Sequence, residues 1–434
     1  MGNSFILKGN ICHTPCLGSL EIREHACIVC AEGTCRGIFD NISQIPEQYG
    51  ALEVIDCGDS LVLPGMVDLH IHAPQYAFRG TGMDYELLKW LDQVTFPEEI
   101  RYADTGYAAR AYEIFSNGLK KGATTRAVLF ATRHRPATEL LMELMEQSGL
   151  VSYVGKVNMD RGATEALEEE SAEISAHVTY GWINAVKDKF ARTKPILTPR
   201  FIPCCTDELM EKLRDIQTKY GVAVQSHVSE NLGEIEFVHQ LRPNNKFYGE
   251  VYDEYNMFGL NHNNGSDVKT IMAHCIWSCD EEIEMMKKQN VFVVHCPASN
   301  TNVVAGIAPI RKYIEAGLKI GLGSDVAGGQ TESMFRAITD AIQVSKLRWR
   351  LVDQGDKPLT FAESFYLATK GGGEFFGKVG SFEEGYEFDA VILDDSHCPH
   401  PQELTIAERL ERAAYLSADL NGIKAKYVAG KKVF

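Results

Sequence analysis

The chain has 434 residues, 45% of them hydrophobic and 24% charged, and a formal net charge of -16. That length suffices for one large domain and a small one with a sizeable core. The acidic balance, with no basic stripe interleaved with aromatics, excludes nucleic acid as a partner, and no run approaches the ~18 apolar residues of a membrane span. The first ten residues lack the basic start and apolar core of a secretory signal, so a cytoplasmic location is expected. The 12 cysteines are scattered without regular spacing, which reads as reduced thiols rather than a disulfide framework. Cys27 and Cys30 form a lone C-x-x-C inside an apolar run, without the second pair a zinc finger needs, and are expected to be buried strand residues.

In chain order, residues 4–11 and 21–29 read as short strands separated by turns. After Pro64-Gly65 the pattern changes. Eight β-branched or apolar runs follow, at 66–72, 124–131, 151–159, 195–201, 222–228, 270–275, 291–296 and 319–325. Between them lie helical stretches, for example 138–147, 207–220, 231–239, 280–289 and 309–317. Eight β-then-α units in about 300 residues match an α/β fold of the (β/α)8 TIM-barrel type, with an open doubly wound sheet as the alternative. After about Gly380 the chain again reads as strands and turns, at 389–393 and 423–434, the latter broken by a turn at Ala429-Gly430. Each end alone has too few strands to be stable, so a small composite β-sandwich domain built from both ends is expected. The expected units are residues 1–64, the barrel 65–375, and 376–434.

The first barrel run ends Asp68-Leu69-His70-Ile71-His72. Residues two apart on a strand share a face, which puts His70 and His72 together at the barrel mouth about 7 Å apart along the strand. Two imidazoles so placed can share a borderline-soft ion such as zinc, although H-x-H alone is a weak signal. The fifth run ends at His227, the sixth reaches His274 and the eighth Asp325, all at the carboxyl ends where barrel enzymes place their sites. Three or more histidines and an aspartate at one rim supply enough ligands for a catalytic zinc. Glu230, three residues after His227, can reach back toward that ion and move a proton between water and a substrate ring nitrogen.

The runs Pro64-Gly65-Met66-Val67-Asp68-Leu69-His70-Ile71-His72-Ala73-Pro74-Gln75-Tyr76, Pro199-Arg200-Phe201, Ser226-His227-Val228-Ser229-Glu230, Ala273-His274-Cys275, His295-Cys296-Pro297-Ala298-Ser299-Asn300 and Gly323-Ser324-Asp325-Val326-Ala327-Gly328-Gly329 are joined in one order. Together they resemble the amidohydrolase superfamily of metal-dependent hydrolases, and within it the branch that deaminates guanine. The resemblance spans about Leu63 to Gly329, while the flanks match only in type. It implies one zinc ion per chain, with Fe2+ as the alternative, held by His70, His72, His227 and Asp325. It further implies that His274 polarises the water or the tetrahedral intermediate, that Asp325 also takes part in catalysis, and that Glu230 shuttles the proton. Base recognition falls on Gln75, Arg200 and Phe201, with His227, Glu230 and His274 also facing the substrate. The implied reaction is hydrolysis of guanine to xanthine and ammonia by a homodimer acting on a free purine base.

Some relatives hold two metals bridged by a carboxylated lysine, and Lys156 on the third run could take that part. The glutamate three residues after His227 belongs instead to the one-metal branch, which is therefore favoured. His295 is expected to support the site through a hydrogen bond from outside the ligand set. Alternative substrates are another amino-heterocycle, such as 8-oxoguanine, a triazine or an adenosine derivative, and a metal-free scaffold is the remote alternative. The Gly372 to Val379 stretch imitates a P-loop but has Val379 where the magnesium-binding Ser or Thr belongs. The H-x-E and P-C-x-x-C pair of cytidine-type deaminases is missing, so a deaminase here must use the barrel architecture.

Overall fold

The computed structural model describes residues 3–261 and 266–434, and the apolar runs of the middle region become strands. Met66–His72, Thr124–Phe130, Val151–Gly155 and Thr193–Pro195 form one parallel sheet in that order. Val224–Val228, Thr270–His274, Phe292–His295 and Lys319–Leu322 form a second, again in chain order. Hydrogen bonds join the two sheets at both seams. Leu197 bridges Val224 at one. At the other, the Asp325 N–H donates to His70 O at 2.8 Å and the His72 N–H to Val326 O at 3.1 Å.

Parallel neighbours need a crossover that covers the sheet, so their strands are buried on both faces and read as continuous apolar runs. Thr124–Phe130 and Thr270–His274 are buried along their whole length. The crossover helices carry ordinary stop and start signals. Asp207–Tyr220 begins after Thr206, whose hydroxyl accepts the Leu209 N–H, and ends at Gly221 with a left-handed φ of 62°. Among the described residues no helix is long and apolar enough to cross a membrane.

The strands of the two chain ends join in a single seven-stranded sheet. Its order is Lys431–Lys432, Ile423–Val428, Ala390–Leu393, Val54–Pro64, Phe5–Cys16, Ser19–Ala31, Thr34–Phe39. Val54–Pro64 runs parallel to Phe5–Cys16 on one side and antiparallel to Ala390–Leu393 on the other. It passes through Gly65 into the first barrel-type strand, and a Cβ on Gly65 would lie 2.2 Å from Thr125 Oγ1. The turn expected at Ala429-Gly430 is present, with φ of 47° and 72° at the two residues, the conformation of a tight hairpin. The C-terminal region is not all strand and turn, because Thr405 and Glu408 form a capping box that starts a helix over Ile406–Tyr415. Cys27 and Cys30 are buried strand residues, and all the cysteines are free thiols.

Two buried cations bolt this sheet to the parallel ones. Arg126 donates from Nε to Asp389 Oδ2 at 2.7 Å and from Nη2 to Asp389 Oδ1 at 3.1 Å. Lys426 Nζ donates to the carbonyls of Leu119, Gly122 and Thr124, each at 2.8 Å. Replacing Arg126 by Ala strands the Asp389 carboxylate in the interior, and is expected to cost about 3–5 kcal/mol, read as a lowered denaturant midpoint.

Candidate metal and substrate site

The carboxyl ends of strands Met66–His72, Val224–Val228 and Thr270–His274, with the turn after Lys319–Leu322, bring His70, His72, His227, His274 and Asp325 together. His72 Nε2 lies 3.2 Å from His70 Nε2 and 3.3 Å from His227 Nε2, and Asp325 Oδ1 lies 3.2 Å from His70 Nε2 and 3.4 Å from His72 Nε2. A tetrahedral ion with ligands at about 2.0–2.1 Å has edges of about 3.3–3.4 Å. The four distances match such edges, so His70, His72, His227 and Asp325 could hold an ion of this kind. His274 sits one step outside, its Nε2 3.8 Å from Asp325 Oδ2 and 3.6 Å from Glu230 Oε2.

Outer hydrogen bonds fix the tautomers. His227 Nδ1–H donates to the Arg200 carbonyl at 2.6 Å, which leaves its Nε2 lone pair facing the cluster. His274 Nδ1 pairs with Asn300 Oδ1 at 2.8 Å and so also carries its proton away from the site. Asp68 Oδ1 accepts the N–H groups of His70 and Ser324 while its Oδ2 accepts the Ser324 hydroxyl, tying the first strand to the turn that carries Asp325. His274 and Asp325 hold left-handed φ of 72° and 45°, backbone conformations that non-glycine residues adopt at a cost and that cluster at working sites.

Burial, then the repulsion of neighbouring imidazoles, holds His72 and His227 well below their ordinary range, so both offer neutral nitrogens. Burial pushes the Asp325 carboxyl up, but His70, His274 and His72 more than reverse it and hold it well below the usual carboxylate range. Glu230 moves the opposite way, raised well above that range by burial and by the charge of Asp325.

These side chains line one cleft enclosing about 450 Å³ of empty space, its open mouth included. Gln75, Arg200 and Phe201 stand in its wall with Leu87, Trp90 and Leu91, so every residue expected at the site lines it except His70, which is fully buried. Phe201 meets the His227 ring edge-on with centroids 6.4 Å apart. Lys156 is elsewhere engaged, its Nζ donating to Glu169 Oε1 at 2.6 Å and to Val157 O at 3.1 Å, which disfavours a bridged two-metal centre. The hydrogen bond expected of His295 is not formed; neither ring nitrogen has a partner among the described residues, and burial, with the charge of His274, lowers it to about 3.

Three supporting residues were given no role from the sequence, although Asp68 and Asn300 lie within the matching runs. Glu99, on the short helix Phe96–Ile100, accepts from Arg200 Nη1 at 2.6 Å, Arg200 Nη2 at 3.1 Å and Gln75 Nε2 at 3.1 Å. Asp68 and Asn300 are the others. Cys296 also lies within reach of His274 and Asp325, but burial holds its thiol far above its ordinary range and so protonated, a poor ligand.

The fold and the ligand cluster together define a metal-dependent hydrolase class, and sequence comparison agrees: the profile of the amidohydrolase family matches residues 61–433, and the chain belongs to that family. Within it the chain is similar to the guanine deaminases. It is 34% identical over 99% of its length to that of Dictyostelium discoideum, of which it covers 98%, and 38% identical over 86% to that of Mus musculus, of which it covers 82%. The crystal structure of guanine deaminase from C. acetobutylicum with guanine bound in its active site superposes with a TM-score of 0.94 at 44% identity, covering 99% of this chain and 100% of that one.

Asp68→Ala is expected to weaken divalent-metal retention about 10–100-fold without removing a ligand, measured by chelator competition. Unchanged retention would mean that Ser324 and Asp325 are positioned by the strand alone.

Proposed function

We propose that this chain hydrolyses guanine to xanthine and ammonia. The observation that carries the reading is the convergence, at one cleft, of a cluster of candidate metal ligands, a buried carboxylate of raised proton affinity, and an amide, a guanidinium and an aromatic suited to a purine. In this reading His70, His72, His227 and Asp325 hold one zinc ion, with Fe2+ as the alternative. The ion, when bound, supplies a water whose pKa is lowered toward about 7.

His274 Nε2, its lone pair facing inward, accepts a hydrogen bond from the attacking water and orients it. Glu230 takes the water's proton on a carboxylate oxygen and returns it to the ring nitrogen beside the carbon that bears the amine; the remaining hydroxyl proton then passes to the amine, the C–N bond breaks with its electron pair on nitrogen, and ammonia leaves as the C–O bond becomes the carbonyl of xanthine. Phe201 packs against the base. Gln75 and Arg200 offer donors to its polar edge, and because they are desolvated, a base without the matching acceptor leaves them unpaired and is rejected.

The same reading carries the architecture with it. The two parallel sheets, hydrogen-bonded at both seams, form a (β/α)8 barrel over residues 65–375, and residues 1–64 with 376–434 form a small composite β domain on the one seven-stranded sheet rather than the sandwich expected. The working assembly is a cytoplasmic homodimer.

The test is to load the protein with zinc, add guanine, and follow ammonia and xanthine, with adenine, cytosine and a triazine in parallel. Turnover of guanine alone is expected. Turnover of a different base would keep the chemistry and overturn the substrate. Glu230→Gln is expected to keep its metal and lose on the order of 10²–10⁴ in kcat; near-normal turnover would assign the proton to another group.

A further inference from the structure

Glu99 is 1% exposed and stands outside the residues that line the cleft, yet both polar residues of the recognition wall end on its carboxylate. A carboxylate only accepts hydrogen bonds. The Gln75 amide must therefore turn its NH2 toward Glu99, and its oxygen then accepts the Ala327 N–H at 3.1 Å. Turning the amide over would set oxygen against oxygen at one end and N–H against NH2 at the other. Arg200 is held by the end of its fork, with its plane against Phe96 at 5.3 Å, so that its remaining N–H groups are the ones left for the cleft.

We propose that Glu99 is a positioning residue that sets the polarity of this wall: it locks Gln75 and Arg200 as donors, and so selects a purine that carries a carbonyl at the edge they read and rejects one with an amino group there. The proposal rests on the purine reading of the cleft. Without the carboxylate, Gln75 is free to reverse and present its oxygen, and Arg200 loses the anion that balances it in the interior.

Glu99→Gln keeps the shape and removes the acceptor-only character. The expected result is a KM for guanine raised on the order of tenfold or more, with kcat and metal content nearly unchanged, the pattern of lost uniform binding. The preference for hypoxanthine over adenine as a competitive ligand should shrink by a similar factor, and Glu99→Asp, which keeps an acceptor, should retain most of it. An unchanged KM and ligand preference, or a joint fall of kcat and metal content, would overturn the proposal.

The wild type gives a reading that does not depend on a variant folding: hypoxanthine, with the carbonyl, is expected to bind at least about tenfold more tightly than adenine, with the amine. Equal binding would overturn the role of Glu99. Strong preference for hypoxanthine without guanine turnover would instead overturn the assigned reaction while upholding the polarity of the wall.

Discussion

Three imidazole nitrogens and a carboxylate oxygen, buried and 3.2–3.4 Å apart at nearest approach, are a costly assembly unless a cation sits among them. Much of the neighbouring structure is arranged to keep that assembly in place. Asp68 fastens the strand of the first two ligands to the turn of the last, and the Arg200 carbonyl and Asn300 turn two rings so that their lone pairs point inward. Strain is accepted at His274 and Asp325 because the alternative backbone would aim both side chains elsewhere.

The same cluster divides the labour between two carboxylates. Asp325, amid imidazoles, is stabilised as an anion, while Glu230 is pushed toward its protonated form by burial and by the charge of Asp325. Environments that separate two acids in this way suit one to hold a cation and the other to carry a proton.

What could be read from the sequence was what is local. The eight apolar runs and their histidines were legible because strand alternation and carboxyl-end placement follow from a few adjacent residues, and Asp207–Tyr220 is bounded in the sequence by Thr206 and Gly221. Helices Thr105–Lys121, Ala172–Val186 and Met334–Leu351 were not singled out, since their buried faces include small, aromatic and polar residues such as Ala108, Tyr112, Ser175 and Thr339 that weaken the apolar period. The capping box at Thr405 and Glu408, a local T-x-x-E spacing, was not singled out in the sequence. Glu99, Asp68 and Asn300 act on partners distant in the chain, with Glu99 and Arg200 separated by 101 positions and Asp68 and Ser324 by 256. No spacing rule reaches that far. His295 shows the converse error, a residue in the right motif whose ring nitrogens have no hydrogen-bond partner among the described residues.

The mixed sheet has a consequence for how the molecule is made. Val54–Pro64 leaves the ribosome early, but its antiparallel neighbour Ala390–Leu393 is translated near the end. At ordinary rates of synthesis one edge of that strand waits on the order of twenty seconds to a minute for its mate. Throughout that interval it offers unpaired backbone groups and apolar Leu61, Val62 and Leu63 to any other nascent chain. Nascent copies on neighbouring ribosomes are thus the hazard that this topology creates.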